Sequence, residues 1–386
     1  MQKKTKARLI EFSAIFIFLL LGTGLPILLT YEPEINIEIT SDKDFRKLKF
    51  PGNGSVDNPY IIENLIISHA LKKAISIKNT ESYFIIRNCS FSYNLFNGIY
   101  LEGVKTGTSK IYDNIIIGHS KAGIEIVYSN QIEIYDNICI DNKRGILLNI
   151  SNDCLIENNI IYTLRPADRF GNRKTGIEIE ASDSASILGN YFERLATGIS
   201  FIEGENCIIS DNTFDSLTHI DIKFLYSNQN QIRNTISTNN GISFITFIDS
   251  NENSIINCTS QDNQYGIRIA SSNYNNILNN TFLKNTLGIY LSSENQENII
   301  SYNKFINCTN EGVSIVFSNL NKVHHNSFYF NNLGNPSQSK DDGTNNFWFD
   351  IDLSEGNYWN GWNVSLPYLI SGSANTTDPF PLSLPI

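Results

Sequence analysis

A four-residue motif of glycine, isoleucine, any residue and a hydrophobic residue recurs along most of this 386-residue chain. Eight copies carry the motif, a ninth has valine in place of isoleucine, and related segments starting at Ala74 and His219 fill two gaps. Successive starts lie 21 to 31 residues apart, a period typical of a solenoid whose repeats pack only against their neighbours. The motif copies start at Gly98, Gly123, Gly145, Gly176, Gly198, Gly241, Gly266, Gly288 and Gly312.

An asparagine position keeps step with this motif, three residues after an apolar anchor in each repeat. Thr235 and Cys258 occupy it in two repeats. The other nine residues are Asn88, Asn114, Asn137, Asn159, Asn190, Asn212, Asn280, Asn303 and Asn326. The chain contains 58 isoleucines and 52 asparagines, and each repeat holds short alternating runs that indicate strands with one buried face. Stacking such repeats predicts an all-β, single-stranded parallel β-helix solenoid of about twelve coils, with an asparagine ladder at one turn.

A leucine-rich-repeat horseshoe is the main alternative, because its period of about 20–29 residues also includes an asparagine position. That fold needs a Leu-x-x-Leu-x-Leu segment ahead of the asparagine. This chain has isoleucine there, in a different phase, so the β-helix is preferred.

The N-terminus carries a membrane-targeting pattern ahead of the repeats. An uncharged apolar run at residues 12–30 is long enough to cross a bilayer as a helix, and four cations precede it. We expect a single-pass protein of the cell membrane with its β-helix extracellular or periplasmic. The expected segments are 1–8, basic and cytoplasmic; 9–31, transmembrane anchor or signal sequence; 32–50, N-terminal cap; 51–335, β-helix repeats; and 336–386, C-terminal capping segment.

The net charge argues against one class of partner, and the cysteine spacing argues against disulfide bonds. A net charge of −10 argues against a nucleic-acid partner, which would require a basic face. Of the six cysteines, Cys154 and Cys207 share a phase but lie two coils apart, about 10 Å, which is beyond disulfide reach. We therefore expect six free thiols.

The outward positions of the first strand in each repeat form a column that is rich in carboxylates and tyrosines. Alternate coils would place Glu125, Glu178 and Asp221 about 10 Å apart, near the upper limit for the carboxyl pair of an inverting glycosidase. These three are the catalytic candidates, with a plain solvated face as the alternative. Sugar binding without catalysis fits the pattern equally well. The predicted ligand-binding residues of this column and the adjoining one are Tyr100, Glu102, Glu125, Glu178, Glu180, Asp221, Arg268 and Tyr290.

The coil that starts at Gly145 contains a long insertion, which carries the one basic cluster outside the N-terminus. Insertions in solenoids map to surface loops. Arg165, Arg169 and Arg173 are predicted to contact an anion or an acidic sugar, and a tolerated surface loop is the alternative.

No metal site and no cofactor are predicted. Copper needs soft or imidazole ligands, but the only methionine is Met1. His324 and His325 form the only histidine pair, and neighbouring residues on a strand point to opposite faces.

The opening segment, the repeat units and the closing segments of this chain are similar to those of NosD-type proteins. These belong to the right-handed parallel β-helix proteins of the pectate-lyase-like group of carbohydrate-binding and sugar-hydrolase folds. The resemblance covers roughly residues 50–386 and implies a right-handed β-helix. It also implies periplasmic copper processing, the role of the family's named member, or a surface protein of no assigned activity. It depends on Gly52-Asn53-Gly54-Ser55, Gly288-Ile289-Tyr290-Leu291, Gly356-Asn357-Tyr358-Trp359 and Asp378-Pro379-Phe380.

These observations predict an exported, membrane-anchored recognition or scaffold module that binds cell-surface polysaccharide or another surface protein. A polysaccharide hydrolase or lyase using the outward face of the first strands is the first alternative. A NosD-like copper accessory protein is the second.

Overall fold

The described part of the chain is a parallel β-helix. The computed structural model describes residues 36–165, 173–239 and 241–386. Each coil contributes one strand to each of three parallel sheets, except that the last coil has none in sheet 2. The predicted segments 1–8 and 9–31 lie outside the described residues, and no helix within the described ranges is long and apolar enough to span a membrane.

The strands are numbered in chain order and grouped by sheet. Sheet 1 contains β1 (Ile37–Ile39), β4 (Ile75–Lys78), β7 (Ile99–Glu102), β10 (Ile124–Val127), β13 (Arg144–Asn149), β16 (Thr175–Glu180), β19 (Thr197–Ile202), β22 (Ile220–Leu225), β25 (Ser243–Ile248), β28 (Tyr265–Ala270), β31 (Leu287–Ser292), β34 (Val313–Asn319) and β37 (Lys340–Thr344). Sheet 2 contains β2 (Tyr60–Glu63), β5 (Phe84–Arg87), β8 (Ser109–Tyr112), β11 (Glu133–Tyr135), β14 (Leu155–Glu157), β17 (Ser186–Leu188), β20 (Ile208–Ser210), β23 (Gln231–Arg233), β26 (Ser254–Ile256), β29 (Asn276–Leu278), β32 (Ile299–Ser301) and β35 (Lys322–His324).

Sheet 3 contains β3 (Ile66–Ser68), β6 (Ser90–Ser92), β9 (Ile115–Ile117), β12 (Ile138–Ile140), β15 (Ile160–Tyr162), β18 (Tyr191–Glu193), β21 (Thr213–Asp215), β24 (Ile236–Thr238), β27 (Thr259–Gln261), β30 (Thr281–Leu283), β33 (Lys304–Ile306), β36 (Ser327–Tyr329) and β38 (Tyr358–Trp359). A short antiparallel pair near the C-terminus joins β39 (Tyr368–Leu369) to β40 (Thr377–Asp378). Helix α1 (Asp42–Lys47) lies near the start of the described residues.

Isoleucine and phenylalanine form the core because their side chains repeat at the same inward positions of successive coils. Ile177 of β16 pairs with Ile146 of β13 and with Ile199 of β19, and all three are fully buried. In sheet 3 the Phe305 ring stacks on those of Phe282 and Phe328, with centroids 5.0 and 4.8 Å apart. Apolar burial thus runs unbroken from coil to coil.

The asparagine ladder lies at the turn between sheets 2 and 3. Asn303 shows its pattern: the side-chain amide donates to the oxygen of Asn326 at 3.0 Å and to the Ile277 carbonyl at 2.9 Å. The side-chain oxygen of Asn303 accepts the backbone N–H of Asn280 at 2.9 Å. Buried amides in this position are Asn114, Asn137, Asn159, Asn190, Asn212, Asn280, Asn303 and Asn326.

Asn88 does not belong to the ladder, which corrects the prediction for that coil. Its backbone is left-handed with a φ of 50°, and the residue is exposed. Cys89 holds the ladder position, and its backbone N–H donates to the side-chain oxygen of Asn114 at 3.0 Å. The expected phase was one residue early, because Ile86 rather than Ile85 pairs with Ile111.

A second asparagine ladder, which the sequence reasoning missed, lies at the turn before sheet 2. Each of its amides bonds to the next, as Asn253 does to Asn275 at 3.1 Å. Cys154 and Cys207 lie one residue before β14 and β20, where this ladder runs in later coils, and the Cys207 N–H donates to Asn230. All six cysteines are free and buried. The ladder residues are Asn230, Asn253, Asn275, Asn298 and Asn321.

Aromatic residues cover the core at both ends. The Phe45 ring of α1 stacks on Tyr60 with centroids 4.6 Å apart. At the other end Trp359 stacks between Phe328 at 4.2 Å and Tyr368 at 3.8 Å. The buried Asp378 carboxylate accepts the Trp359 indole N–H at 2.8 Å. This hydrogen bond joins the Gly356-Asn357-Tyr358-Trp359 motif to the Asp378-Pro379-Phe380 motif.

Candidate functional site

The outward column of sheet 1 is rich in polar side chains, most of which are buried. Strand pairing aligns Ser76, Tyr100, Glu125, Leu147, Glu178, Ser200, Lys223, Thr246, Arg268, Tyr290 and Ser314. Although these side chains point away from the core, Glu125 is only 3% exposed, and Tyr100 and Glu178 are each 8% exposed. We call this column and the adjacent Glu102 and Glu180 the sheet 1 face.

Tyr100 lies at the centre of a charged cluster at one end of the sheet 1 face. The Lys73 ammonium lies 2.9 Å from the centroid of the Tyr100 ring, a cation–π contact. The Tyr100 hydroxyl donates to Glu102 at 3.0 Å, and Lys78 pairs with the same carboxylate at 2.7 Å. Burial lowers the pKa of Lys73 to about 8 and raises the pKa of Tyr100, while the hydrogen bond from Lys78 lowers the pKa of Glu102.

Glu125 and Glu178 are each held by a cation from a neighbouring segment. Lys121 pairs with Glu125 at 2.8 Å, and the Asn97 amide donates to its other oxygen at 2.6 Å. The Arg144 guanidinium donates to Glu178 at 2.8 Å. Because Leu147 separates them in the column, the two carboxylates lie two strands apart, about 10 Å by sheet spacing.

Glu180 forms a carboxyl pair with Glu178. The two residues lie two apart on β16, so they share the outward side of the strand. Burial, together with the side-chain hydrogen bond to Glu178 and its charge, raises the pKa of Glu180 to about 7. The Asn149 amide donates to Glu180 at 3.2 Å. Glu180 therefore retains a proton well above the usual carboxyl range, beside a carboxylate bound to Arg144.

Asp221 lies inside the solenoid, which corrects its expected place on the outward column. Ile220 pairs with Thr197 and Ile222 with Ile199, so Asp221 occupies the position of Gly198, and Lys223 takes the outward place. Its side chain is 0% exposed. It cannot face a ligand on the sheet 1 face.

The remaining predicted contacts lie apart from the charged cluster. Arg268 and Tyr290 do occupy the outward column, but Ser200, Lys223 and Thr246 separate them from Glu178.

In the insertion, Arg165 and Arg173 are exposed and Arg169 lies outside the described residues. Arg173 lines a shallow recess with Lys143 and Lys174, next to Arg144 at the edge of sheet 1.

Two histidines and an aspartate converge outside the sheet 1 face. His324 ends β35, while His325 has a left-handed backbone with a φ of 53°. The strict alternation of strand side chains therefore stops at His324, and the two Nδ1 atoms lie 2.7 Å apart. Asp350 lies beside them, with an Oδ2 atom 4.0 Å from Nδ1 of His324. The expectation that the two imidazoles point apart is wrong, because the strand ends between them.

The stacked coils with three parallel sheets define a right-handed β-helix repeat protein. A profile of the right-handed β-helix region matches residues 50–163. The chain belongs to the NosD family, whose profile, described as periplasmic copper-binding protein (NosD), matches residues 167–363. A comparison with curated proteins found no match.

Solved structures with the same fold include phage tailspikes and a sugar-active enzyme. The Dettilon tailspike protein gp208 is 14% identical with a TM-score of 0.51, over 72% of this chain and 63% of the tailspike. The DFA-IIIase from Arthrobacter chlorophenolicus is 13% identical with a TM-score of 0.50, over 72% of this chain and 81% of the enzyme.

The tailspike of E. coli bacteriophage HK620, solved with a pentasaccharide, is 9% identical with a TM-score of 0.54, over 78% of this chain and 67% of the tailspike. This chain therefore spans less than two thirds of the Dettilon tailspike and about two thirds of the HK620 tailspike. At these identities the likeness concerns the fold.

The family description raises the question of which residues here suit copper. His324, His325 and Asp350 offer two imidazole nitrogens and a carboxylate oxygen, a donor set that fits a borderline divalent ion such as Cu²⁺. The six cysteines are buried in the solenoid, so their sulfurs are not accessible as soft ligands. An ion held here would supply a Lewis acid near the C-terminal end of the solenoid.

Proposed function

We propose that this chain is an exported, membrane-anchored surface protein that binds polysaccharide along the sheet 1 face. The observation that carries the proposal is the outward column of aromatic and carboxylate side chains, which neighbouring cations and amides hold in place. Tyr100, Glu125 and Glu178 are outward-facing side chains of one column, yet each is less than a tenth exposed. A straight column of well-positioned polar groups with an aromatic ring suits an extended, hydroxyl-rich polymer.

The charges of the sheet 1 face suit hydroxyl groups better than they suit a strongly charged ligand. Lys78 pairs with Glu102, Lys121 with Glu125 and Arg144 with Glu178, so each of these carboxylates is already balanced by a cation. The Glu102 side chain is 33% exposed, so its remaining lone pairs can accept hydrogen bonds from sugar hydroxyls. The HK620 tailspike, with the same fold, was solved with a pentasaccharide, which supports a glycan as the ligand class.

Export and anchoring are proposed from the N-terminal sequence. The apolar run at residues 12–30 follows four cations, the arrangement that directs the following chain across a membrane. Protease treatment of intact cells that express the full chain tests this directly. Digestion of the β-helix without cell lysis is expected, and full protection would contradict export.

A glycan array with the full-length protein tests polysaccharide binding. We expect binding to one or more polysaccharides and loss of that binding in Tyr100→Ala, because Tyr100 joins Lys73 to Glu102. Tyr274→Asn is the control, since Tyr274 is an exposed tyrosine between sheets 1 and 2. No binding to any polysaccharide, or equal loss in both variants, would contradict the proposal.

A polysaccharide hydrolase is the second candidate, and the Glu178–Glu180 pair favours it. A carboxyl group that keeps its proton near neutral pH beside a carboxylate can act as a general acid. Because Asp221 is internal, Glu178 and Glu180 become the catalytic candidates in place of Glu125, Glu178 and Asp221. Release of reducing ends from any bound polysaccharide, abolished by Glu180→Gln, would support the enzyme. Binding of a polysaccharide without release of reducing ends would support a non-catalytic binding module.

A further inference from the structure

Four side chains near the C-terminal end of the solenoid form a cluster that the sheet 1 face does not use. His324 and His325 come from the end of β35, and Asp350 and Glu355 come from the loop between β37 and β38. Nε2 of His325 lies 2.7 Å from the Glu355 carboxylate, and Nδ1 lies 2.7 Å from Nδ1 of His324. The two imidazole side chains are only 13% and 5% exposed.

These contacts determine which nitrogen of His325 carries a proton. The Glu355 carboxylate only accepts hydrogen bonds, so Nε2 of a neutral His325 must be the donor. Nδ1 of His325 is then the acceptor of its ring, and it points at His324. With His325 neutral, the short Nδ1–Nδ1 contact places the proton of His324 on Nδ1. One proton therefore occupies the space between two imidazole lone pairs.

The loop that carries the carboxylates is tightly built. The Asp350 backbone N–H donates to the Glu355 carbonyl at 2.7 Å, which fixes both residues relative to each other. Oδ1 of Asp350 accepts the backbone N–H groups of Asp352 at 2.9 Å and Leu353 at 3.2 Å. Its Oδ2 atom is directed toward His324. On the other side, the Tyr302 ring stacks on His325 at 5.0 Å and fixes the imidazole plane.

We propose that this cluster binds one divalent transition-metal ion through Nδ1 of His324, Nδ1 of His325 and Oδ2 of Asp350. Two nitrogens that are each about 2.0–2.1 Å from one ion lie roughly 3 Å apart, so the observed separation needs little adjustment. The ion takes the place of the shared proton: His324 gives up its Nδ1 proton to solvent and takes one up from solvent on Nε2, so it binds as a neutral imidazole. Glu355 does not bind the ion; it positions His325 through Nε2, as carboxylates commonly do for metal-binding histidines.

The donors select borderline ions rather than soft or hard ones. Two imidazoles with one carboxylate suit Cu²⁺ and Zn²⁺, whereas Cu⁺ prefers sulfur and Ca²⁺ or Mg²⁺ prefers oxygen alone. Three protein ligands leave a coordination position for solvent or a partner's group. The site does not depend on polysaccharide binding, so either proposal can fail without the other.

Metal stoichiometry of the full-length protein tests the site. After chelator treatment and dialysis against micromolar Cu²⁺ or Zn²⁺, mass spectrometry of the bound metal is expected to give about one ion per chain. His324→Asn and Asp350→Asn should weaken binding at least tenfold, and Glu355→Gln should weaken it roughly 10- to 100-fold. The paramagnetic resonance spectrum of the Cu²⁺ form should show coupling to two imidazole nitrogens.

His69→Ala is the matched control, because His69 is an exposed histidine at the other end of the solenoid. It should bind metal like the natural chain, and circular dichroism should confirm that all variants are folded. Absence of bound metal in the natural chain would overturn the site. So would equal loss in His69→Ala, retention of binding in His324→Asn, or a folded Glu355→Gln with unchanged affinity.

Discussion

The ladder asparagines connect coils through their side chains as well as through the backbone. Truncating Asn303 to alanine removes the acceptor of the Asn280 N–H and the donor to the Ile277 carbonyl, both buried. We predict that Asn303→Ala lowers the free energy of unfolding by about 3 kcal/mol, because buried polar groups lose their partners. Urea denaturation followed by circular dichroism measures this change.

Asn310→Ala is the control for the ladder, since Asn310 is exposed and only its backbone bonds to the neighbouring coil. It should change the free energy of unfolding by less than about 0.5 kcal/mol. Equal effects of the two substitutions would show that the ladder adds no stability.

Glu180 makes stability depend on pH in a defined direction. Its pKa rises to about 7 on folding, so between about pH 4.5 and 7 the folded state binds a proton that the unfolded state releases. Glu180 therefore favours folding less as pH rises through that window. Glu180→Gln, whose neutral amide can still donate to Glu178, should raise the melting temperature at pH 8 and leave it unchanged at pH 4. The same shift at both pH values would contradict the raised pKa.

The asparagine positions in the sequence predicted most of the first ladder. The predicted position was wrong in one coil, where a cysteine lies at the ladder position. Asn88 has the right type, yet Cys89 lies at the ladder position, because cross-strand pairing sets the phase. The second ladder had a sequence signal in asparagines 22 or 23 residues apart from Asn230 to Asn321. The prediction assumed a single ladder asparagine in each coil, so it did not include this second ladder.

At the scale of strands, the glycines of sheet 1 and the phenylalanines of sheet 3 form size-matched pairs. Wherever the sheet 1 position is glycine from Gly176 onward, the same coil places phenylalanine against it, as Gly288 and Phe305 show. Where that position carries Asp221 or Phe244, the same coil has the small Ser237 or Ser260 in the sheet 3 core. In the coil of Phe244 the large ring and the small side chain have thus exchanged sheets.

Gly288→Ala tests this matching. A Cβ atom would lie 2.3 Å from the Gly312 carbonyl oxygen and 2.5 Å from the Phe305 ring. We predict a loss of about 1–3 kcal/mol in the free energy of unfolding, measured by urea denaturation. Thr286→Ala in the same coil adds no atom to the interior and should cost less. A Gly288→Ala variant as stable as the natural chain would contradict tight packing at this position.

The register of β22 explains why the sequence misplaced Asp221. The segment His219-Ile220-Asp221-Ile222 matches the repeat motif, but the structure places it two residues earlier in the coil, so Asp221 and not His219 aligns with Gly198. Only contacts between strands distinguish the two registers. A linear pattern does not contain that information.

For the whole molecule, the repeat period and the isoleucine and asparagine positions were enough to predict a parallel β-helix with free cysteines. The functional features arise where the coils depart from the pattern. Glu180 titrates unusually because Glu178 and burial act together, and His324 meets His325 because a strand ends between them. Both depend on side chains brought together by the fold, which spacing along the chain does not reveal.

The central claim is that the sheet 1 face, rather than the solenoid surface in general, binds polysaccharide. Two equivalent ion pairs allow a direct comparison: Lys78–Glu102 at 2.7 Å on sheet 1 and Lys110–Glu133 at 2.9 Å on sheet 2. The decisive measurement is the dissociation constant of the polysaccharide selected on the array for Glu102→Ala and Glu133→Ala. Glu102→Ala should raise it about tenfold, because a charge-assisted hydrogen bond is lost, and Glu133→Ala should leave it unchanged. Equal dissociation constants for both variants, or weakening by Glu133→Ala alone, would contradict the account.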